Sequence, residues 1–245
     1  MRTMKTIAGI IMLSAMLGGQ AFTQSMVVFK TDSTTLTILL SDIDSITFTG
    51  QGPIGCPESL SYGGKTYHTV QIGSQCWLKE NLDIGIMIDS LQNATDNGTI
   101  EKYCYNNDTA RCTLYGGLYQ WNEAMQYSTT PGTQGICPPG WHIPTFTEFD
   151  TLRSAVTNDG NALKEIGQGT GGGAGTNTSG FSALLAGYRA LSGGFYGLGS
   201  GTEFWSSTEY DAASASYLYL ISDTSDVDLD YNPKDHGISV RCLED

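Results

Sequence analysis

GICPPGWHIPTFTEF, residues 135–149, ends in the start of a helix. Thr145-Phe146-Thr147-Glu148 is a capping box: the Thr145 hydroxyl can accept from the amide of Glu148, and the Glu148 carboxylate can reach back to the amide of Thr145. Phe149, Leu152 and Val156 then recur at i, i+3 and i+7, the apolar stripe of an amphipathic helix, and Asp159-Gly160 supplies a stop. Upstream, Leu118, Trp121 and Met125 share the same spacing and predict a second short helix, while 65–72 alternates through Tyr67 and Val70 as a strand. Downstream lies the glycine-rich run GQGTGGGAGTNTSG (167–180), read as a flexible surface loop because no GK[ST] follows it to make a phosphate cradle. Short apolar runs follow at 181–185, 204–205, 217–221, 227–231 and 238–242, a series of short strands. In the last, Ile238, Val240 and Cys242 share one face, and Ser239 and Arg241 the other. The pattern is α+β.

Composition narrows the function classes. Twelve Lys+Arg against 25 Asp+Glu give a formal charge of −13 over 245 residues. That argues against nucleic-acid binding, which requires a basic patch, and against docking on anionic membranes. Thirty-one glycines with only 15% charged residues are a poor recipe for a helix bundle, and 40% hydrophobic residues suffice for a core.

The N-terminus has the form of a secretory signal peptide over 1–21. Arg2 and Lys5 precede an apolar run at 6–19, and Gly19-Gln20-Ala21 offers a cleavage site. At 1.5 Å per residue that run covers roughly 21 Å, short of the ~30 Å bilayer core. An export signal implies an oxidising compartment, and the even count of six cysteines implies disulfides. A zinc site is the rival, but there is no CxxC pair, and His68, His142 and His236 are scattered. Locality favours Cys56–Cys76 and Cys104–Cys112, leaving Cys137–Cys242. Residues 26–49 form a small β leader: strands at 26–29 and 36–40 around Thr31-Asp32-Ser33-Thr34, with a third at 45–48. A linker at 50–55 separates it from the main domain at 56–245.

Seven ordered motifs carry a resemblance: YGGKTYHTVQIGSQCWLKENL (62–82), YCYNND (103–108), YGGLYQWNEAM (115–125), GICPPGWHIPTFTEF (135–149), GFSALLAGYR (180–189), FWSSTE (204–209) and GISVRCLED (237–245). Together they resemble the Fibrobacter succinogenes major paralogous domain, a family of exported bacterial proteins without a settled activity. Leu185 stands where a proline is common and Phe149 where a tryptophan is common. The resemblance implies a C-type-lectin-like fold, shared with formylglycine-generating enzymes: two helices packed on small, twisted, mostly antiparallel sheets, with long loops and, here, three disulfides. Fold does not carry function with it.

Individual residues are weighed against simpler roles. Trp77, Trp121, Trp141 and Trp205 have the size and spacing of core aromatics. Arg189 and Arg241 are expected to pair with carboxylates such as Glu148, and His142 to be packed rather than to act as a base. The thiol chemistry of formylglycine-generating enzymes needs two reactive cysteines, and Cys242 is the only one after residue 137. Asp223, Asp226, Asp228, Asp230 and Asp235 raise calcium as a cofactor, but Asp226, Asp228 and Asp230 alternate with apolar residues as on a solvated strand face. Lectin-like domains bind through irregular loops before the final strands, which here are 190–202 and 210–216. Phe195 and Tyr196 are the candidate stacking residues there, the rival role being to plug the loop onto the core, and Glu203, Glu209 and Asp211 are the candidate hydroxyl acceptors. The first reading is thus an exported, non-enzymatic module that binds a glycan or a cell-surface protein, the second an envelope assembly component, the third an enzyme. Export is expected to remove residues 1–21 to within a few positions. N-terminal sequencing of the exported protein checks this, and an intact Met1 there contradicts it.

Overall fold

The computed structural model describes residues 55–245 and, within the leader, the strand backbones β1 (Ser25–Phe29) and β2 (Thr35–Leu39). The signal peptide at 1–21, the third leader strand at 45–48 and all but the last residue of the linker lie outside the described residues. The chain divides into two units, Met1–Ile54 and Gly55–Asp245. In the first, β1 and β2 pair antiparallel from Ser25↔Leu39 to Phe29↔Thr35.

The second unit is a mixed α/β domain with few helices and two small curled sheets. Its strands are β3 (Ser59–Tyr62), β4 (Lys65–Ile72), β5 (Gln75–Leu78), β6 (Ile86–Met87), β7 (Glu101–Lys102), β8 (Trp141–His142), β9 (Ala186–Arg189), β10 (Phe195–Leu198), β11 (Gly201–Glu209), β12 (Ser214–Ile221), β13 (Asp228–Pro233) and β14 (Leu243–Glu244). One sheet has the order β3-β4-β5-β14-β8, the other β10-β9-β11-β12-β13, and β6 and β7 form a short parallel pair. The helices are α1 (Thr109–Tyr115), α2 (Trp121–Ala124), α3 (Phe146–Ala155) and α4 (Gly160–Leu163).

Local chemistry accounts for several elements. Tyr62 pairs with Lys65 across Gly63-Gly64, whose φ values of +56° and +81° are those of a primed hairpin turn that side-chain-bearing residues resist. The capping box forms at α3, with the Thr145 amide donating to Glu148 Oε2 at 2.7 Å, and Phe149 and Leu152 are buried beneath it. The helix ends earlier than the expected Asp159-Gly160 stop. Thr157 and Asn158 turn the chain with φ of +55° and +60°, and Asp159 instead caps α4 by accepting from the Asn161 amide. The helix expected around 118–125 is confined to α2, and 181–185 is no strand, since Ser182 sits at φ +58°. The glycine-rich run is pinned rather than loose. Thr170 donates to Ser222 O at 2.6 Å, and a Cβ on Gly173 would lie 2.4 Å from that carbonyl oxygen.

The C-terminal segment 237–243 joins the two sheets. Ser239 exchanges backbone bonds with β11, donating to Glu203 O at 3.1 Å and accepting from Trp205 N at 3.0 Å. On its other side Val240 O accepts from Leu82 N at 2.9 Å and Cys242 O from Leu78 N at 3.1 Å. It is buried on both faces, so its alternation does not mark a wet side. Val240 and Cys242 join a cluster with Trp121, Trp141 and Trp205, while Leu243 joins another with Trp77, Phe149, Phe181 and Phe204. All four tryptophans are buried.

Ser239 and Arg241 are buried as well. Arg241 does not pair with a carboxylate, contrary to the sequence expectation. Its Nε donates to Asn81 Oδ1 at 3.1 Å, a second nitrogen to the Phe181 carbonyl, and the guanidinium lies 4.3 Å from the Phe181 ring centroid. Arg189 behaves alike. It donates to the carbonyls of Ser90 at 2.9 Å and Asp235 at 3.0 Å, over the Tyr103 ring. Glu148, the expected partner, is occupied by Thr145 and His142. Both arginines donate to neutral acceptors, Arg189 mainly to backbone carbonyls and Arg241 to one carbonyl and the Asn81 amide oxygen.

The disulfides are Cys56–Cys76, Cys104–Cys112 and Cys137–Cys242, as locality suggested. No helix among the described residues is long and apolar enough to cross a membrane. Sequence separations of 8 for Cys104–Cys112 and 105 for Cys137–Cys242 set the expected ranking. By loop-closure entropy the first contributes about 2.5 kcal/mol and the second about 4.7 kcal/mol. Replacing both partners by serine should lower the melting temperature more for Cys137/Cys242 than for Cys104/Cys112; the reverse order contradicts the role given to the C-terminal segment.

Candidate functional site

The second sheet aligns one row of side chains across all five of its strands. Tyr196 of β10 is opposite Tyr188 of β9. The parallel pairing of Gly187 with Thr202 sets Tyr188 beside Glu203 of β11. Glu203 is opposite Tyr219 of β12, and Tyr219 opposite Asp228 of β13. Four inter-strand steps make the row about 19 Å long. Tyr196 is 53% exposed and its ring lies 5.9 Å from that of Tyr188, whereas Glu203, at the centre, is only 6% exposed. Alternation on β11 places Glu203 on the Trp205 face, away from Phe204.

Burial pushes the Glu203 carboxyl up to about 7, against the opposing pull of the 2.8 Å hydrogen bond from the Asn232 amide. Its other oxygen, Oε1, takes no hydrogen bond among the described residues. Burial raises the Tyr188 and Tyr219 hydroxyls, and the Glu203 charge raises them further. The row therefore offers partly exposed phenol rings, phenol hydroxyls that stay protonated, and one carboxyl that accepts or donates according to pH.

The other residues singled out in the sequence are dispersed. The loop expected at 190–202 contains β10, and the strand's alternation turns Phe195 away from Tyr196, to lie 5.1 Å from the ring of Tyr105. Glu209 forms an ion pair with Lys234, whose ammonium sits 4.6 Å over the Trp121 ring. Asp211 accepts from the amides of Ala213 and Ser214 and shapes the turn before β12. Beside it, exposed Tyr210 and Tyr231 stack face to face with centroids 3.8 Å apart. The five aspartates of the calcium reading are exposed, and among the described residues no group of three or more His, Cys, Asp or Glu gathers as a metal site. Tyr188, Tyr219 and Asn232 were not singled out in the sequence; the Tyr217-Leu218-Tyr219 alternation was the available signal.

His142 is buried between two carboxylates. Its Nε2 lies 3.1 Å from Glu148 and its Nδ1 2.7 Å from Asp245, and it contacts no hydroxyl or thiol nucleophile among the described residues. Burial opposes its charge, but the two carboxylates prevail and hold its pKa above the ordinary value.

Glu203 gives a pH signature with a defined sign. Its folded-state pKa of about 7 exceeds the ordinary 4.5, so the folded chain binds the extra proton and loses stability as pH rises across that interval. The loss is about 3 kcal/mol. Glu203→Gln should remove it, so the melting temperature of the variant should gain on the wild type between pH 5 and pH 8. Taking the difference cancels the contribution of His142, which falls in the same window. A constant difference across that range would show that Glu203 is not held as described.

No curated protein and no solved structure matches the chain. The Fibrobacter succinogenes major domain matches it over residues 70–244, a span from inside β4 to β14 that takes in the first sheet without β3, the whole second sheet, all four helices, the tyrosine row and the Cys137–Cys242 bond. The match covers more than two thirds of the chain, and the protein belongs to the Fibrobacter succinogenes major domain family.

Proposed function

We propose that this chain is an exported, non-enzymatic binding module of C-type-lectin-like fold that recognises a glycan outside the cytoplasm. The fold reading draws on the few helices, the two curled sheets and the three disulfides. The observation that carries the functional reading is the row Tyr196–Tyr188–Glu203–Tyr219–Asp228. Sugars present apolar C–H faces that stack on phenol rings, and hydroxyls that bond to carboxylates and amides. The row supplies both, with Glu203 Oε1 free to accept and Asn232 fixing the opposite oxygen. Its length of about 19 Å suits an extended ligand lying across the strands. A rigid sheet holds these groups in place without ordering a loop on binding, which keeps the entropic cost low.

The raised Glu203 carboxyl and the exposed Asp228, two strands away, also give a hydrolase reading its two acids. The alternative placed ahead of it, envelope assembly, requires the surface to bind copies of itself or neighbouring envelope proteins. Glycan-array screening of the mature chain separates these, with released reducing ends and sedimentation measured in parallel. Binding of an intact glycan by a monomer is expected. Tyr196→Ala should weaken it about tenfold, the scale of a lost aromatic contact, while the melting temperature moves little because the ring is half exposed. Retention of no glycan, or binding indifferent to Tyr196→Ala and Glu203→Gln, refutes the assignment.

A further inference from the structure

A cleft of about 500 Å³ opens between α1 and the β4–β5 hairpin, and Arg241 lines it. The volume is that of a small-molecule site. Arg241 is 1% exposed and has no carboxylate within 4 Å; its acceptors are the amide oxygen of Asn81 and the carbonyl of Phe181, both neutral. A guanidinium has five N–H donors and three are used here, so 5 − 3 = 2 lack an acceptor. A buried cation without a counter-charge is costly, and burial holds this one down to about 9.

The acids around the cleft are engaged elsewhere. Asp83 is paired with Lys65 and Lys102. Glu80 is 2.8 Å from His68 Nδ1, and Glu165 accepts from Asn177 at 2.9 Å and from the Ile166 amide at 3.0 Å. Lys79, also lining the cleft, forms no ion pair among the described residues. The cleft is thus lined by one buried cation whose partners are all neutral and by a second cation without an ion pair. The guanidinium fork matches carboxylate and phosphate in two-point contact, and the lining's own Glu80, Asp83 and Glu165 favour the singly charged carboxylate over a phosphate. The rest of the lining is rich in groups that bond hydroxyls, among them Thr66, Thr113 and Ser182.

We propose that this cleft binds the carboxylate of a sugar acid, with Arg241 as its anion receptor and Lys79 as a flanking cation. The site is independent of the proposed glycan surface, since none of Tyr188, Tyr196, Glu203 or Tyr219 lines the cleft. D-glucuronate is titrated calorimetrically into the full exported chain, with D-glucose as the neutral control and acetate as the bare carboxylate. Glucuronate should bind saturably, glucose about tenfold or more weakly, as loss of a charged hydrogen bond entails, and acetate should compete. Leu184→Trp fills the cleft without replacing the guanidinium, and should weaken glucuronate about tenfold with the melting temperature preserved. Lys79→Glu should weaken it in the same direction, whereas Tyr196→Ala should leave it unchanged. No saturable heat with glucuronate, equal affinity for glucose, or indifference to both Leu184→Trp and Lys79→Glu overturns the proposal. Loss of binding in Tyr196→Ala alone overturns it too, by assigning the sugar acid to the tyrosine row.

Discussion

The segment 237–243 is the constraint on which both sheets rest. It exchanges backbone bonds with Glu203 and Trp205 on one side, and on the other its carbonyls accept from the amides of Leu78 and Leu82. Its alternate side chains enter the two separate apolar clusters. A strand in that position cannot have a polar face turned to water, so Ser239 and Arg241 must find partners inside the protein. Arg241 reaches back 160 residues to Asn81, a contact that forms only after a long loop has closed. The Cys137–Cys242 bond holds that closure covalently, in a domain whose charge of −13 opposes compaction.

What the sequence made legible was local. The Thr145–Glu148 box works across three residues, and nothing outside those residues can alter the chemistry that defines it. The disulfides followed from spacing, because two of the loops are short enough to close on themselves. Asp159-Gly160 reads as a stop because the residue types that end one helix also cap the start of another, and here the turn is already made at Thr157-Asn158. Composition alone made the glycine-rich run look loose. Its glycines are there so that 169–175 can approach the backbone at Ser222, a long-range contact that no local pattern records.

The candidate site was half legible for the same reason. Tyr196 and Glu203 stood out, but their neighbours Tyr188, Tyr219 and Asp228 are set by strand register, which depends on turn lengths and on one parallel pairing. Phe195 and Tyr196 looked like one aromatic patch. In a strand, adjacent residues face opposite ways, so one packs on Tyr105 and only the other joins the row. The arginines were assigned to carboxylates because charge is what a sequence displays. Backbone carbonyls, invisible there, were the acceptors available at both sites.

Glu203 and Arg241 pose one physical question. Each is a buried charge held by neutral partners, and each costs the fold stability that an apolar residue of like size would not. They do not compensate each other: Glu203 faces the Trp205 side of the sheet, while Arg241 stacks on Phe181 and Phe204 on the other. Satisfying Asn81 and the Phe181 carbonyl would take a donor but not a full charge. Filling the position between Tyr188 and Tyr219 would take volume but not a carboxyl. What the two groups supply beyond packing is an unused acceptor on one face and two unused donors on the other. Both meet the same buried segment at Ser239, whose amide donates to the Glu203 carbonyl and whose hydroxyl accepts from Asn81, the side chain that Arg241 bonds.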